Sequence, residues 1–422
     1  MGLFSEKHVL SDRLLGDAKG DIARFCFERA VEHIRGGPAH RLLMSLALFV
    51  PDASREALGH VASLPNLDRD EGLVKLEWLS LVNKRADRFA FLPLTKSFAL
   101  AELAEHSDFK KEAARRWVDY LKGLCQVADS EYYWRYRSYL FLDEGSNILE
   151  AIEWSYENGT AEDVFLLILA ANEYLDAVGD WNRLWTVVHR ALSLARTVRN
   201  PIAVARFATI EGWMLSQWGE YEEAESRLSE ALERYQEVGN REGKSIALHH
   251  LSAIYRKKGL FNKAEEFCNR AWSIADSLGI GDLRSLVNIE RGKLARDMGR
   301  WELARGYFAQ VRDWFEERAE QDPRDEILAR SIWGHLAIVE YHLGRPREAK
   351  ELCLKSLEFF EAHGTKGYLA TLKYRLALAE DALGEHKVAL EHAREAVDWF
   401  DRLGMKPDYA EAKALLQRLQ GS

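Results

Sequence analysis

The fold of this 422-residue chain is decided by the segment Gly219-Glu-Tyr-Glu-Glu-Ala224-Glu-Ser-Arg-Leu228-Ser-Glu-Ala231. Altered copies of this segment recur along the chain, and their first glycines occupy positions 179, 219, 259, 299, 344 and 384. Successive glycines are separated by 40 residues, except for one gap of 45. A period of this size indicates a stacked array in which each repeat buries its apolar face against its neighbours.

Each repeat has the pattern of two helices joined at the glycine, which tolerates the left-handed backbone of a tight turn. Aromatic residues follow two positions after four of these glycines, at Trp181, Tyr221, Phe261 and Trp301. Small residues recur seven positions before the glycine, at Gly212, Ser252, Gly292, Ala337 and Ala377, and on the second helix, at Ala224, Ala231, Ala264, Ala271, Ala389 and Ala396. Small side chains allow the helices of a hairpin to approach closely.

This pattern resembles the tetratricopeptide repeat (TPR), and residues 165–404 resemble it as about six units. The resemblance implies an all-α fold, with a TPR-type α-α superhelix of about six 40-residue helical hairpins over residues 161–422. The gap of 45 residues predicts an insertion near residues 320–324. The polar segment 408–419 predicts the C-terminal capping helix that such arrays require.

The N-terminal part of the chain has a different organisation. Residues 1–20 lack a periodic pattern and are interpreted as a linker or the stub of a preceding domain. Helical segments follow, the third capped by Asp52-Ala-Ser54, and two short β runs lie between residues 81 and 91. Helices followed by a hairpin predict a small winged-helix domain with one β-hairpin over residues 21–105, with connecting helices over 106–160.

An aromatic cluster lies between these two parts of the chain. It consists of Tyr132, Tyr133, Trp134, Tyr136, Tyr139 and Phe141. Such a cluster is typical of a stacking or cation–π site, but also of a core where two domains meet. The sequence leaves both interpretations open.

Composition restricts the class of protein. Hydrophobic residues make up 47% and charged residues 30%, which favours a folded chain, and the eight prolines are few enough for helix. No apolar run approaches the ~18 residues of a membrane span, and no signal peptide is evident. The four cysteines follow no metal or disulfide spacing, so we expect reduced thiols in a cytoplasmic protein with no membrane partner. The net charge of −9 makes nucleic acid an unlikely partner.

Motifs for catalysis are absent from the sequence. It contains no phosphate-binding loop, dinucleotide fingerprint, zinc-protease, serine-hydrolase or kinase signature. His249 and His250 are adjacent on a helix and are expected to point apart, which does not favour a metal site. We therefore expect a non-enzymatic protein with no catalytic residue, no metal and no cofactor.

The TPR resemblance implies a binding surface on the inner face of the superhelix, formed by first-helix positions that point away from the partner helix. Carried over to this chain, these positions are Arg206, Trp213, Gln217, His249, Arg256, Lys257, Lys293, Arg296, Tyr341, His342 and Tyr374. Basic and aromatic side chains favour a protein or peptide ligand, and the basic ones suit a ligand with carboxylates. The competing interpretation is a solvated helix face with incidental charges. The binding interpretation predicts that Arg256→Glu with Arg296→Glu abolishes ligand capture without changing the thermal transition.

A second resemblance concerns the N-terminal part. Segments 41–49, 73–82 and 88–98 resemble the winged helix that follows the nucleotide-binding core of bacterial STAND (NB-ARC-like) signalling ATPases, and segment 142–154 resembles the start of their sensor arrays. This resemblance implies a sensor region whose winged helix relays ligand binding to a nucleotide-binding core of the same or a larger protein. The family's nucleotide-sensing histidine has no counterpart in Phe91-Leu92-Pro93. The chain is either a fragment of a larger protein or a stand-alone relative.

Two further functions compete with this hypothesis. A stand-alone TPR transcription regulator would bind DNA through its winged helix, but segment 68–77 carries four acidic and two basic residues. Repulsion between these carboxylates and DNA phosphates opposes docking in a groove. A passive TPR scaffold would have no regulated state.

Overall fold

The computed structural model describes residues 18–125, 143–320, 323–363 and 365–421. These residues form twenty α-helices and one three-stranded sheet, which confirms the all-α fold class. They group into two compact units, the first within 18–125 and 143–167 and the second from Ile168 onward. The aromatic cluster of residues 131–141 lies outside the described residues.

The first unit combines helices with the small sheet. Its elements are α1 (Ala18–Glu32), α2 (Pro38–Leu46), β1 (Asp52–Ser54), α3 (Arg55–Ala62), α4 (Asn66–Trp78), β2 (Val82–Arg85), β3 (Arg88–Phe91), α5 (Pro93–Glu105), α6 (Ser107–Cys125) and α7 (Gly145–Asn158). α8 (Ala161–Val178) begins in this unit and continues into the second. Phe49 and Trp117 are both fully buried and meet edge to face, with ring centroids 6.1 Å apart. They belong to the core that holds these elements together.

The sheet contains one strand that the sequence did not predict. β3 lies between β1 and β2 and pairs antiparallel with both, and Ala53 of β1 is opposite Phe89. The sequence prediction treated residues 52–54 only as a helix cap, because a three-residue strand is too short to show a period. Ser54 does cap α3, since its side chain accepts a hydrogen bond from Ala57 N at 3.1 Å, so the predicted cap is confirmed.

The start of α8 is held by the buried carboxylate of Asp163, which is 1% exposed. It accepts hydrogen bonds from Lys122 Nζ at 2.5 Å and Arg115 Nη1 at 2.7 Å. Thr160 N also donates to this carboxylate, and Asp163 N donates to Thr160 Oγ1, which forms a capping box. Burial opposes ionisation of Asp163, yet these hydrogen bonds keep its pKa well below the usual range.

The second unit is a regular array of helical hairpins. After α8, its elements are α9 (Trp181–Thr197), α10 (Pro201–Trp218), α11 (Tyr221–Glu237), α12 (Arg241–Lys257), α13 (Phe261–Leu278), α14 (Gly281–Asp297), α15 (Trp301–Glu316), α16 (Pro323–His342), α17 (Pro346–His363), α18 (Lys366–Ala382), α19 (His386–Arg402) and α20 (Lys406–Gly421). The six hairpins run from α8–α9 to α18–α19, and α20 follows as the predicted capping helix. The repeat with the longer gap contains α16, which has 20 residues.

The turn glycines and the small residues of the repeat have the predicted roles. All six turn glycines have positive φ, from 72° to 82°, where an L-residue is strained. On the first helix of the fourth hairpin, a Cβ at Gly292 would lie only 2.5 Å from Phe308 Cε1. The missing side chain therefore allows α14 and α15 to pack in direct contact.

Gly292→Ala is expected to lower the free energy of unfolding of the array by about 1–3 kcal/mol, because the buried Phe308 ring must shift in a filled core. Gly306→Ala is the matched control, since Gly306 lies on α15 of the same hairpin and a Cβ there would meet no atom within 4 Å. We expect the control to raise stability by about 0.5–1 kcal/mol. Urea denaturation measures both changes, and equal effects would contradict the close packing at Gly292.

The last hairpin of the array returns to the second one. Trp218 Nε1, at the end of α10, donates a hydrogen bond to Leu403 O at 2.9 Å. Lys406 Nζ at the start of α20 lies 2.6 Å from Glu220 Oε1. These contacts, all within the second unit, complete one superhelical turn. The first helices of the hairpins consequently surround a common inner groove.

Candidate functional site

Side chains from distant parts of the array face one another across the inner groove. Burial and the neighbouring Asp408 raise the pKa of Glu411 on α20, while Arg296 on α14 and Lys257 on α12 oppose this rise. These charge effects indicate that the four groups lie near one another at the groove. Of the predicted site residues, the structure brings together Gln217, Arg256, Lys257, Lys293, Arg296, Tyr341 and Tyr374.

Arg256 is the most firmly held residue of the groove. It is 8% exposed, and its guanidinium lies 2.6 Å from Glu290 and 2.5 Å from Asp297, both on α14. Burial alone would lower the pKa of Arg256, but the charges of Glu290 and Asp297 raise it. Arg256 therefore links α12 to α14, which is a structural role that the sequence prediction did not include.

Lys257 joins the second and third hairpins at the groove. Its Nζ donates to Ser216 O and to Gln217 Oε1, each at 3.1 Å. Burial lowers the pKa of Lys257 to about 8. The two predicted residues Gln217 and Lys257 are thus in direct contact.

Lys293 lies among further basic groups that the sequence prediction missed. Arg375 on α18 is 7% exposed, and its Nη2 is 3.5 Å from His335 Nδ1 on α16. Burial lowers the pKa of Lys293 to about 7 and holds that of His335 well below its usual value, and the Arg375 charge adds to both shifts. His335 and Arg375 each lie nine positions before a turn glycine, Gly344 and Gly384. This shared position in the repeat is the signal that could have identified them.

Two tyrosines add aromatic surface to the groove. Burial and the carboxylate of Glu411 raise the pKa of Tyr374 to about 12, and Tyr341 contributes to this shift from α16. A neutral phenol offers both a ring face and a hydrogen-bonding hydroxyl to a ligand. The tyrosines therefore give the groove a non-ionic means of contact.

The remaining predicted residues have other contacts. Trp213 packs edge-on against Trp181 at 5.4 Å, and His342 stacks on Trp301 at 4.1 Å. His249 is 5% exposed, and its ring centroid lies 4.9 Å from that of His250, so the expectation that these two rings point apart is wrong. Arg206 is half-buried on α10.

The capping helix α20 has an apolar and an acidic side. Leu415 and Leu419 are buried against Ala389 and Ala393 of α19, which is the capping role that the sequence predicted. Asp408 and Glu411 instead face the groove, where the charge of Asp408 acts on Lys257 and that of Glu411 acts on Tyr374. The sequence indicates only the capping role of this helix and not its charge at the groove.

One group of residues in the first unit has the composition of a metal site. Ligand atoms of His40, Glu102 and His106 lie within 4.8 Å of one another. However, His40 Nδ1 accepts a hydrogen bond from Gly36 N at 3.3 Å, so Nε2 carries the proton and donates to Glu102 at 2.8 Å. Because Nε2 is protonated, it has no lone pair for a metal, and these contacts stabilise α2 against α5 instead.

Comparisons with known proteins support the repeat and its fold. The tetratricopeptide repeat family profile matches residues 214–277 and 328–400. A search of curated proteins finds no match to the chain. In the described part of the chain, none of the helices combines the length and the apolarity needed to cross a bilayer.

Two solved structures are similar over most of the chain. One is a signal transduction ATPase with numerous domains (STAND) with a TPR sensor from Pyrococcus horikoshii, with a TM-score of 0.51, 17% identity and coverage of 93% of this chain and 55% of that one. The other is a Rap protein complexed with competence and sporulation factor, with a TM-score of 0.51, 12% identity and coverage of 72% and 85%. This chain thus spans about half the length of the STAND protein. It contains TPR repeats, and it shares its superhelical fold with these two proteins.

Proposed function

We propose that this chain is the ligand-sensing region of a STAND-type signal-transduction ATPase, that it is not itself an enzyme, and that its inner groove binds a peptide or a protein segment. The observation that carries the proposal is the gathering of Lys257, Lys293, Arg296, Tyr341 and Tyr374 on one inner surface. The similar fold of a STAND protein with a TPR sensor and of a peptide-complexed Rap protein agrees with this role.

The chemistry of the groove favours a ligand with carboxylates. Lys293 and Arg296 on α14 supply positive charge in a space with little water, where charge-assisted hydrogen bonds are strong. Asp408 and Glu411 on α20 supply a smaller negative region, which would orient a ligand that carries charges of both signs. Tyr341 and Tyr374 would pack against its apolar side chains.

The first unit has the element order of a winged helix, namely helix, strand, two helices and a hairpin. Its α4 exposes Leu67, Val74 and Trp78 by 66–79%, which favours contact with protein. The basic residues of α4 are already bound, because Arg69 Nε donates to Asp70 and Lys75 Nζ to His33 O. These features support a relay to a nucleotide-binding core over the DNA-binding alternative. Such a relay requires that the ligand bind two states of the protein with different affinity.

Selection of displayed ten-residue peptides on the whole chain tests the groove. The affinities of the selected peptides are then measured by fluorescence anisotropy for wild type, Arg296→Glu and Arg300→Glu. Arg296 faces the groove charges, whereas Arg300 is exposed at the following turn. We expect Arg296→Glu to weaken binding by about 10–100-fold, because a charge reversal opposes ligand carboxylates, and Arg300→Glu to change it less than about 2-fold.

Two results would contradict the proposed function. One is a selection that yields no peptide above the level of an unrelated helical protein. The other is equal weakening by Arg296→Glu and Arg300→Glu, which would indicate long-range charge effects rather than contact in the groove.

A further inference from the structure

The groove contains a buried arginine that forms no ion pair with any residue that the structure describes. Arg375 is 7% exposed, and its Nη1 has no hydrogen-bond partner there. Its Nη2 has only the 3.5 Å approach to His335 Nδ1. Gly334 lies beside the guanidinium, since a Cβ built at this glycine would be 3.2 Å from Nη1. Burial and the charge of Arg296 lower the pKa of Arg375, and Tyr368, Cys353 and Asp408 oppose this shift.

Lys293 and His335 increase the positive character of this position. Lys293, on α14, forms no ion pair or hydrogen bond with any residue that the structure describes, although the charge of Glu290 favours its protonated form. His335 lies between the two other groups in the repeat order, on α16, with its ring stacked on Phe308 at 5.1 Å. Three successive first helices therefore each contribute one basic group to the same region.

The nearby carboxylates do not neutralise this cluster. Glu290 and Asp297 are both occupied by Arg256, at 2.6 Å and 2.5 Å. Asp408 and Glu411 on α20 form no ion pair with Arg375, Lys293 or His335 among the residues that the structure describes. A buried arginine without an ion-pair partner is costly, and such groups are normally paired or bind an anion.

We infer that Arg375, Lys293 and His335 form an anion site that receives one oxyanion group of the ligand, a carboxylate or a phosphate. Nη1 of the guanidinium, which has no partner among the described residues, provides N–H donors for the oxygens, and Lys293 adds a nearby positive charge. Oxyanion binding supplies the missing counter-charge and favours the protonated forms of Lys293 and His335. This inference deepens the proposed function and rests on it for the identity of the ligand.

Small anions test the site without any peptide. The melting temperature of the whole chain is measured in inorganic phosphate and in acetate, each compared with sodium chloride of equal ionic strength. At about 50 mM anion we expect a rise of about 3 °C or more in at least one of them, because a ligand that binds only the folded state stabilises it. The anion with the larger effect shows whether the site prefers a phosphate or a carboxylate group.

Variants show whether the rise in melting temperature with anion arises at Arg375. Arg375→Met is expected to abolish the anion-dependent rise and to leave the melting temperature without anion unchanged or higher, because it removes an unpaired buried charge. Arg347→Met, at an exposed position of α17, is the matched control and should keep the full rise. The NMR chemical shifts of the His335 imidazole in the wild type report directly on the site. We expect them to change on addition of the anion that stabilises the protein.

The possible results separate this site from the proposed function. No rise with either anion, a full rise in Arg375→Met, or unmoved His335 resonances would each overturn the anion site. A marked fall in the anion-free melting temperature of Arg375→Met would also count against it, because it would indicate that Arg375 is paired in the folded protein. Peptides that bind in the groove while anions have no effect would overturn only the site. Anion effects at the site without any selected peptide would overturn only the proposed function.

Discussion

Glu290→Ala is expected to lower the free energy of unfolding of the repeat array by about 3–5 kcal/mol, because it leaves the Arg256 guanidinium buried with half of its counter-charge. Arg256 is 8% exposed and Glu290 is 1% exposed, so water cannot replace the lost carboxylate without opening the contact between α12 and α14. Only Asp297 would remain, at 2.5 Å. Urea denaturation followed by circular dichroism measures the change.

The double variant Arg256→Met with Glu290→Met is the control for this prediction. Replacing a buried ion pair by apolar side chains of similar size is often neutral or stabilising, so we expect the double variant to be more stable than Glu290→Ala. A Glu290→Ala effect below about 1 kcal/mol, which is typical of an exposed pair, would contradict the structural role of Arg256. The same burial changes the expectation for Arg256→Glu with Arg296→Glu, which should now lower the thermal transition as well as ligand capture.

Asp163→Asn is expected to lower the free energy of unfolding of the first unit by about 3 kcal/mol at neutral pH, because a buried carboxylate that holds Lys122 and Arg115 is lost. Asp119→Asn is the matched control. Asp119 lies 3.4 Å from the same two basic residues, but its side chain is 45% exposed, so we expect less than about 1 kcal/mol. Equal effects of the two variants would contradict the expectation that burial makes the Asp163 ion pairs stronger than those of Asp119.

The pH dependence of this effect follows from the direction of the pKa shift. The pKa of Asp163 is lowered in the folded protein, so its stabilisation is fully present above the unfolded value of about 3.9. It is lost as the pH falls from there through the folded pKa. The difference in stability between wild type and Asp163→Asn should therefore be constant near neutral pH and shrink below about pH 4. A difference that grows on acidification would contradict this assignment.

The parts of the fold that the sequence predicted are those that repeat. The turn glycines reflect a requirement for positive φ, and Gly292 reflects a requirement for close helix packing. Because the repeat occurs six times, these requirements are visible in the sequence. β1 was missed because its three residues have no period of their own. Its existence depends on pairing with β3, a partner 34 to 38 residues away in the chain.

The repeat register could indicate which residues form the candidate site, but it could not predict which ion pairs these residues make. The repeat register predicts that Lys257, Lys293 and Arg296 lie on the inner face, and the structure brings these three residues near one another. It could not show that Arg256 is occupied by Glu290 and Asp297, because charge pairing depends on the distance between neighbouring hairpins. His335 and Arg375 lie nine positions before a turn glycine, and the prediction did not assign that position to the inner face, although it did assign the neighbouring position of Tyr374.

The hydrogen bond between Trp218 and Leu403 changes how the array should unfold. An open solenoid has two free ends, and its terminal repeats can fray one at a time because each repeat touches only its neighbours. In this protein the last hairpin is also held by the second, so fraying at the C-terminal end must first separate it from a repeat four units away. We therefore expect the hairpins between Trp218 and Leu403 to unfold in one cooperative step, rather than one repeat at a time from the C-terminal end.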